Sequence, residues 1–117
     1  MDIVSNIVTG INAVLHIGFL VLEMFLWDQP FGRKTFRMTE EYAKASASLA
    51  ANQGLYNGFL AAGLTWGLVA GDPAIKTFFL VCVVIAGIYG GFTAKRSIFY
   101  MQALPGLLGL VFLYLAG

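Results

Sequence analysis

The chain has 117 residues, of which 59% are apolar and only 11% charged, with a net charge of +1. Soluble domains carry about 25% charged residues, so too few are present to cover a water-facing surface, and the near-neutral balance gives no reason to invoke nucleic acid. Cys82 is the single cysteine, which excludes an internal disulfide and a cysteine-based metal site.

The positive mean hydropathy points to an integral membrane protein whose surroundings are the lipid bilayer. Fourteen glycines fit that class, since small residues let membrane helices approach closely. The N-terminus opens with Asp2 rather than a basic residue and no A-x-A-like site follows its apolar run, so a signal peptide is not expected.

Four apolar segments follow in chain order. The first covers residues 3–27, interrupted by Asn6, Asn12, His16 and Glu23. Asp28 to Lys34 is polar, and Pro30 with Gly32 marks it as a turn or loop. Thr39 before Glu40 and Glu41 has the form of a helix start, a capping hydroxyl followed by acids in the first turn. The helix it opens has its span at 46–70 and is longer than the roughly 20 residues a crossing needs, so its first turns project from the bilayer. Gly71-Asp72-Pro73 ends it in a short loop. The third segment covers 75–94, Lys95-Arg96-Ser97 makes a tight turn, and the fourth covers 98–116. The expected fold is all-α: a single domain over 1–117, a four-helix transmembrane bundle with antiparallel neighbours, a short outer loop and a tight inner second hairpin turn.

Charge orients this bundle. Arg33, Lys34, Arg37, Lys44, Lys95 and Arg96 lie on the side of the first and third loops, and only Lys76 on the other. The excess of Lys and Arg in cytoplasmic loops then places both termini outside. Trp27 and Phe99-Tyr100 at one boundary, and Trp66, Phe78-Phe79 and Tyr114 at the other, agree with aromatic belts.

The first helix carries the clearest pattern. At about 100° per residue, Ser5, Thr9, Asn12, His16 and Glu23 fall in a sector roughly 60° wide. The second helix presents Asn52 with Tyr56 and Gln53 with Asn57, each pair spaced i, i+4. Buried amides must find partners, at a cost of several kcal/mol each if they do not. Aligning the span ends puts His16 near the level of Tyr56, and Glu23 near Leu49 to Asn52. Asn12, His16, Glu23, Asn52, Gln53, Tyr56, Asn57 and Gln102 are therefore expected to line one internal polar pocket that takes a small polar or lipid-like ligand.

Each feature also has a plain packing explanation. Asn and Gln between membrane helices act as glue. His16 serves equally as a packing residue, and with no second histidine a metal site is not expected. Glu23 is the most informative residue, because an intramembrane acid is a functional candidate by default, although Arg33 or Lys34 could pair with it. Gly87 and Gly91 form a small-xxx-small pair suited to close helix packing, within the chain or in a homodimer. Pro105 should kink the last helix beside Gln102.

The run Asn52-Gln53-Gly54-Leu55-Tyr56-Asn57-Gly58-Phe59-Leu60-Ala61-Ala62-Gly63-Leu64 resembles the hallmark of a bacterial family of small membrane proteins, domain of unknown function 1304. Glu23-Met24-Phe25-Leu26-Trp27 and Gln102-Ala103-Leu104-Pro105 are similar to its other recurrent blocks. The resemblance spans nearly the whole chain. It implies a four-helix protein of the bacterial inner membrane and no established activity.

Three function classes follow: a membrane protein that binds or transports a small polar or amphipathic ligand, a structural or accessory subunit whose polar residues only hold helices together, and a membrane enzyme using His16 and Glu23. The last two residues are seven positions apart, about 10 Å along a helix, so a substrate would have to bridge them. No catalytic residue, metal or cofactor is assigned.

Overall fold

In the computed structural model the described residues are 2–116, Asp2 in its backbone alone. Met1 and Gly117, the termini that charge assigns to the outside, lie beyond the described residues. The regular structure among them is helical throughout: α1 (Asp2–Met24), α2 (Pro30–Thr35), α3 (Glu40–Ala70), α4 (Pro73–Thr93), a π-helical segment (Phe99–Ala103) and α5 (Leu104–Ala116). Three stretches are long and apolar enough to cross a membrane: Ile3–Met24, Pro73–Thr93 and Phe99–Ala116. α3 is long enough but more polar, with Glu40, Glu41 and Lys44 at its start and Asn52, Gln53 and Asn57 in its middle.

The helices are inside out relative to a water-soluble protein. On α1, Ser5, Thr9, Asn12 and His16 are buried, whereas Ile3, Ile7, Ile11, Val14, Ile17 and Val21 are exposed. On α3, Ala43, Ala50, Gly54, Asn57 and Ala61 are buried, and Leu49, Leu55, Phe59, Trp66 and Val69 are exposed. The buried face of α3 is made mostly of small residues, while many of its larger apolar side chains point outward together with Asn52 and Gln53.

The chain divides into two compact units, Met1–Leu15 with Leu60–Gly117, and His16–Phe59. In the first, α3 ends in a Schellman motif: the Asp72 N–H donates to the Gly67 carbonyl (3.1 Å) and the Gly71 N–H to that of Leu68 (3.2 Å). Gly71 has φ 61°, the left-handed conformation this motif requires. Asp72 then caps α4, its Oδ1 accepting from the Ala74 N–H at 2.9 Å, with Pro73 in the first helical position.

α4 and α5 form an antiparallel hairpin. Gly91 lies against Phe99, Gly87 against Ala103, Gly106 against Val83 and Gly109 against Leu80, the pairs stepping in opposite directions along the two helices. The close approach expected of Gly87 and Gly91 is thus made within the chain. Leu64, Leu80, Val83 and Ala13 form the core of this unit, with Leu60, Phe79, Leu110 and Leu113 packed around them. The distortion expected at Pro105 takes the form of the π-helical segment just before it, where the Leu104 N–H reaches back five residues to the Phe99 carbonyl. Proline has no N–H to donate and its ring crowds the carbonyl four residues earlier. A wider turn relieves both.

In the second unit, α1 stops at Met24, three residues before the expected end. The Val21 carbonyl accepts from both Phe25 and Leu26 N–H, at 3.0 and 3.1 Å, and the chain leaves the helical path. The Trp27 indole N–H donates to Ser46 Oγ at 3.0 Å, and its ring packs on Phe36. The expected loop at Asp28 to Lys34 contains a short helix, α2. Pro30 occupies its first turn, where the missing N–H has no partner to lose. Gly32 is buried against the Leu26 and Trp27 backbone, which leaves no room for a Cβ. Thr39 caps α3 as expected, its Oγ1 accepting from the Tyr42 N–H at 3.1 Å.

Candidate functional site

Glu23 is in the last turn of α1. Its Oε1 accepts a hydrogen bond from the Asn57 Nδ2 at 2.5 Å. The approach of the two helices is made possible by small residues on α3. A Cβ added at Gly54 would lie 2.6 Å from Met24 Cγ and 3.1 Å from Glu23 Cβ, and one added at Gly58 would lie 2.7 Å from Leu20 Cδ1. Gly54 and Gly58 therefore form a groove that receives the last turns of α1, and Asn57 projects from the same face.

The partner of Glu23 is one to two turns further along α3 than the Leu49 to Asn52 level. That level assumed spans ending together, but α1 stops at Met24 and the α2 loop occupies the intervening residues. Arg33, a candidate counter-ion for Glu23, is engaged elsewhere: its Nε lies 3.7 Å from Asp28 Oδ1 and its Nη1 3.5 Å from Glu40 Oε2. Among the described residues, no Lys, Arg or His nitrogen lies within 4 Å of the Glu23 carboxylate. An acid against an amide, with no fixed cation, can take up or release a proton, or accept hydrogen bonds from a ligand.

The eight residues grouped by sequence divide between the two units. Asn12 and Gln102 belong to the first, and His16, Glu23, Asn52, Gln53, Tyr56 and Asn57 to the second. Asn12 is fully buried, and its Nδ2 donates to the carbonyls of Val8 and Pro105, each at 2.9 Å. Gln102 is half-buried in the π-helical segment. His16 is fully buried and meets Phe19 edge to face at 5.2 Å. Asn52, Gln53 and Tyr56 are exposed on α3, Tyr56 packing edge-on to Phe59. Within the second unit, Glu23 and Asn57 are joined by a hydrogen bond.

A second polar group escaped the sequence reading. Lys76 Nζ donates to Asn6 Oδ1 at 2.7 Å, and Lys76 is buried. Two signals pointed there. Asn6 is the one polar residue of the first helix off its polar stripe, and Lys76 is the only basic residue on its side of the expected bundle. They are seventy positions apart, so only the packing of α1 with α4 could join them.

The chain is similar to the uncharacterized protein YpaA of Lactococcus lactis subsp. lactis (strain IL1403), being 24% identical over 115 residues that cover 95% of this chain and 97% of that protein. No solved structure matches it. The family described as protein of unknown function (DUF1304) matches residues 10–114, and the chain belongs to that family.

Proposed function

We propose that the chain is a four-span protein of the cell membrane in which the Glu23–Asn57 pair is the contact point for a small polar or amphipathic ligand. The observation that carries this reading is the carboxylate itself. It lies in an apolar helix, accepts a hydrogen bond from a buried amide, and has no cation within 4 Å among the described residues. Burying an acid in a membrane helix is costly, and such residues mark ligand or proton paths by default. α3 supplies the fourth span despite its amides, since it buries alanine and glycine and turns Leu49, Phe59, Trp66 and Val69 outward, as a helix in lipid does. His16, Asn52, Gln53 and Tyr56, which belong to the same unit as the pair, supply the remaining polar groups in this proposal. The loops bearing Arg33, Lys34, Lys95 and Arg96 face the cytoplasm and both termini face outward.

Glu23→Gln tests it, because the change keeps shape and hydrogen bonding while removing the charge. Native and variant proteins would be purified in mild detergent and their co-purifying small molecules compared by mass spectrometry, alongside thermal stability. A species held by the native protein and lost from an equally stable variant is the expected result. Loss of folding with no species held by either protein sinks the ligand reading.

A structural or accessory role is the second reading, favoured by Asn12. Both hydrogens of its amide go to backbone carbonyls, which is how an asparagine acts when it only joins helices.

A further inference from the structure

A cavity of about 290 Å³ opens where α1 meets the head of α4, lined by Ser5, Asn6, Gly71, Pro73, Lys76 and Leu113 among others. All of these residues belong to the first unit. A water occupies about 30 Å³ in the liquid, so the space admits a group several times that size. We propose that this cavity binds a phosphate group, held by the Lys76 ammonium and the Ser5 hydroxyl.

Three observations lead there. Lys76 is only 7% exposed, yet Asn6 Oδ1, a neutral acceptor, is its side chain's hydrogen-bond partner. An ammonium has three donors, and removing it from water is expensive unless an opposite charge compensates. Among the described residues no carboxylate oxygen lies within 4 Å of Nζ. The nearest acid in sequence, Asp72, is turned to the Ala74 N–H as the helix cap. No carboxylate among the described residues supplies the compensating charge, and a bound anion would.

Ser5 is the second observation. It is 1% exposed, lines the cavity, and its Oγ has no hydrogen-bond partner among the described residues. Buried hydroxyls are nearly always paired, and an orphan points to a missing water, ion or ligand. A donor hydroxyl and an ammonium on residues that line one cavity suit an oxyanion. The third is position. Lys76 is in the first turns of a helix of 21 residues, where the aligned peptide dipoles favour negative charge. Phosphate has several acceptor oxygens and a full negative charge, and it can arrive free or as the headgroup of a membrane lipid.

The experiment uses the full chain in dodecyl maltoside, with two arms. In the first, radiolabelled inorganic phosphate is measured by equilibrium dialysis, with chloride at matched ionic strength as the control. In the second, the protein is mixed with phosphatidylglycerol and phosphatidylcholine, and retained lipid is counted by native mass spectrometry. A hydrogen-bonded charge contact predicts binding weaker by about tenfold or more in Lys76→Gln, and by about threefold or more in Ser5→Ala. Saturable phosphate binding with those losses identifies a free anion. Retention of phosphatidylglycerol alone, lost in the variants, identifies a headgroup. Binding of neither probe overturns the proposal, as does binding that both variants preserve. If Lys76→Gln does not fold, Ser5→Ala decides alone, because it removes a hydroxyl with no partner among the described residues, and unchanged binding in it overturns the proposal.

Discussion

Asn12 reaches from the middle of α1 to the backbone carbonyl of Pro105, 2.9 Å away, and gives its second amide hydrogen to Val8 one turn earlier on its own helix. The acceptor belongs to the proline whose ring disturbs the last helix, so one side chain ties α1 to that helix just beyond its irregular turn. Gly109 keeps the place open, since a Cβ there would come within 3.4 Å of the same amide nitrogen.

Asn12→Leu is expected to destabilise the protein by about 0.6–2 kcal/mol, the range for an interhelical hydrogen bond in a bilayer. Unfolding in mixed micelles of increasing dodecyl sulfate measures it. A more stable variant would show that the two bonds contribute nothing net.

Gly54→Leu should cost more than substitution on the open face of α3. The added side chain meets Met24, Glu23 and the Leu20 carbonyl, and overpacking of this kind costs about 1–3 kcal/mol. It also forces α1 away from Asn57. A cysteine pair at Leu20 and Gly58 would crosslink readily in the native background and slowly with leucine at 54. Equal crosslinking rates would contradict the groove.

Two left-handed residues are expected to respond in opposite directions. Arg37 has φ 53° and closes α2, with Met38 N–H donating to the Arg33 carbonyl and Arg37 N–H to that of Lys34. A residue with a Cβ is penalised there and glycine is not, so Arg37→Gly should stabilise by roughly 0.5–1 kcal/mol. Gly71→Ala, the converse change, should destabilise by about 1–2 kcal/mol. Thermal unfolding in detergent reads both, and shifts of the same sign would refute the pair.

Outside the apolar segments, the start of α3 carries a charge-dependent contribution. A hydrogen bond from Lys44 Nζ at 2.9 Å, with the charges of Lys44 and then Arg33, holds the Glu40 carboxyl below its ordinary value of 4.5. A lowered folded value means the stabilisation is complete above the ordinary value and is lost as the pH falls through the folded one. The same pair raises Lys44, whose share is present below its ordinary 10.5 and lost as the pH rises through the folded value. Both groups are fully exposed, so the effect should be small and should fade with added salt. Melting temperatures of native protein and Glu40→Gln, compared at pH 7 and pH 3 in low and high salt, check it. A difference that persists at pH 3 would place its origin elsewhere.

The parts of the fold visible in the sequence are those set by neighbours in the chain. Thr39 as a cap and Gly71-Asp72-Pro73 as a helix end act through bonds only two to five residues long, so both were legible. The stripe of Ser5, Thr9, Asn12 and His16 was legible because helical periodicity needs no partner to reveal it. Contacts between helices were not. Glu23 meets Asn57 because α1 stops early and Gly54 admits it, and neither the stopping point nor the depth of a groove is written in local pattern. Pro30 and Gly32 signal a break equally well whether the chain turns or makes one short helix. Lys76 and Asn6 each looked out of place alone, and only tertiary packing brings them together.

The π-helical segment ahead of Pro105 holds one residue more than an α-helical turn would. Everything after it is rotated about its axis by about 100° relative to an uninterrupted helix. Gly106 and Gly109 face Val83 and Leu80 only because of that rotation. Deleting a single residue between Phe99 and Ala103 would restore regular winding and carry both glycines off the α4 face, along with the Pro105 carbonyl that Asn12 holds. Substitutions in this segment alter one contact at a time, whereas a change in its length resets the whole of α5. The length of those few residues is therefore under tighter constraint than their identities.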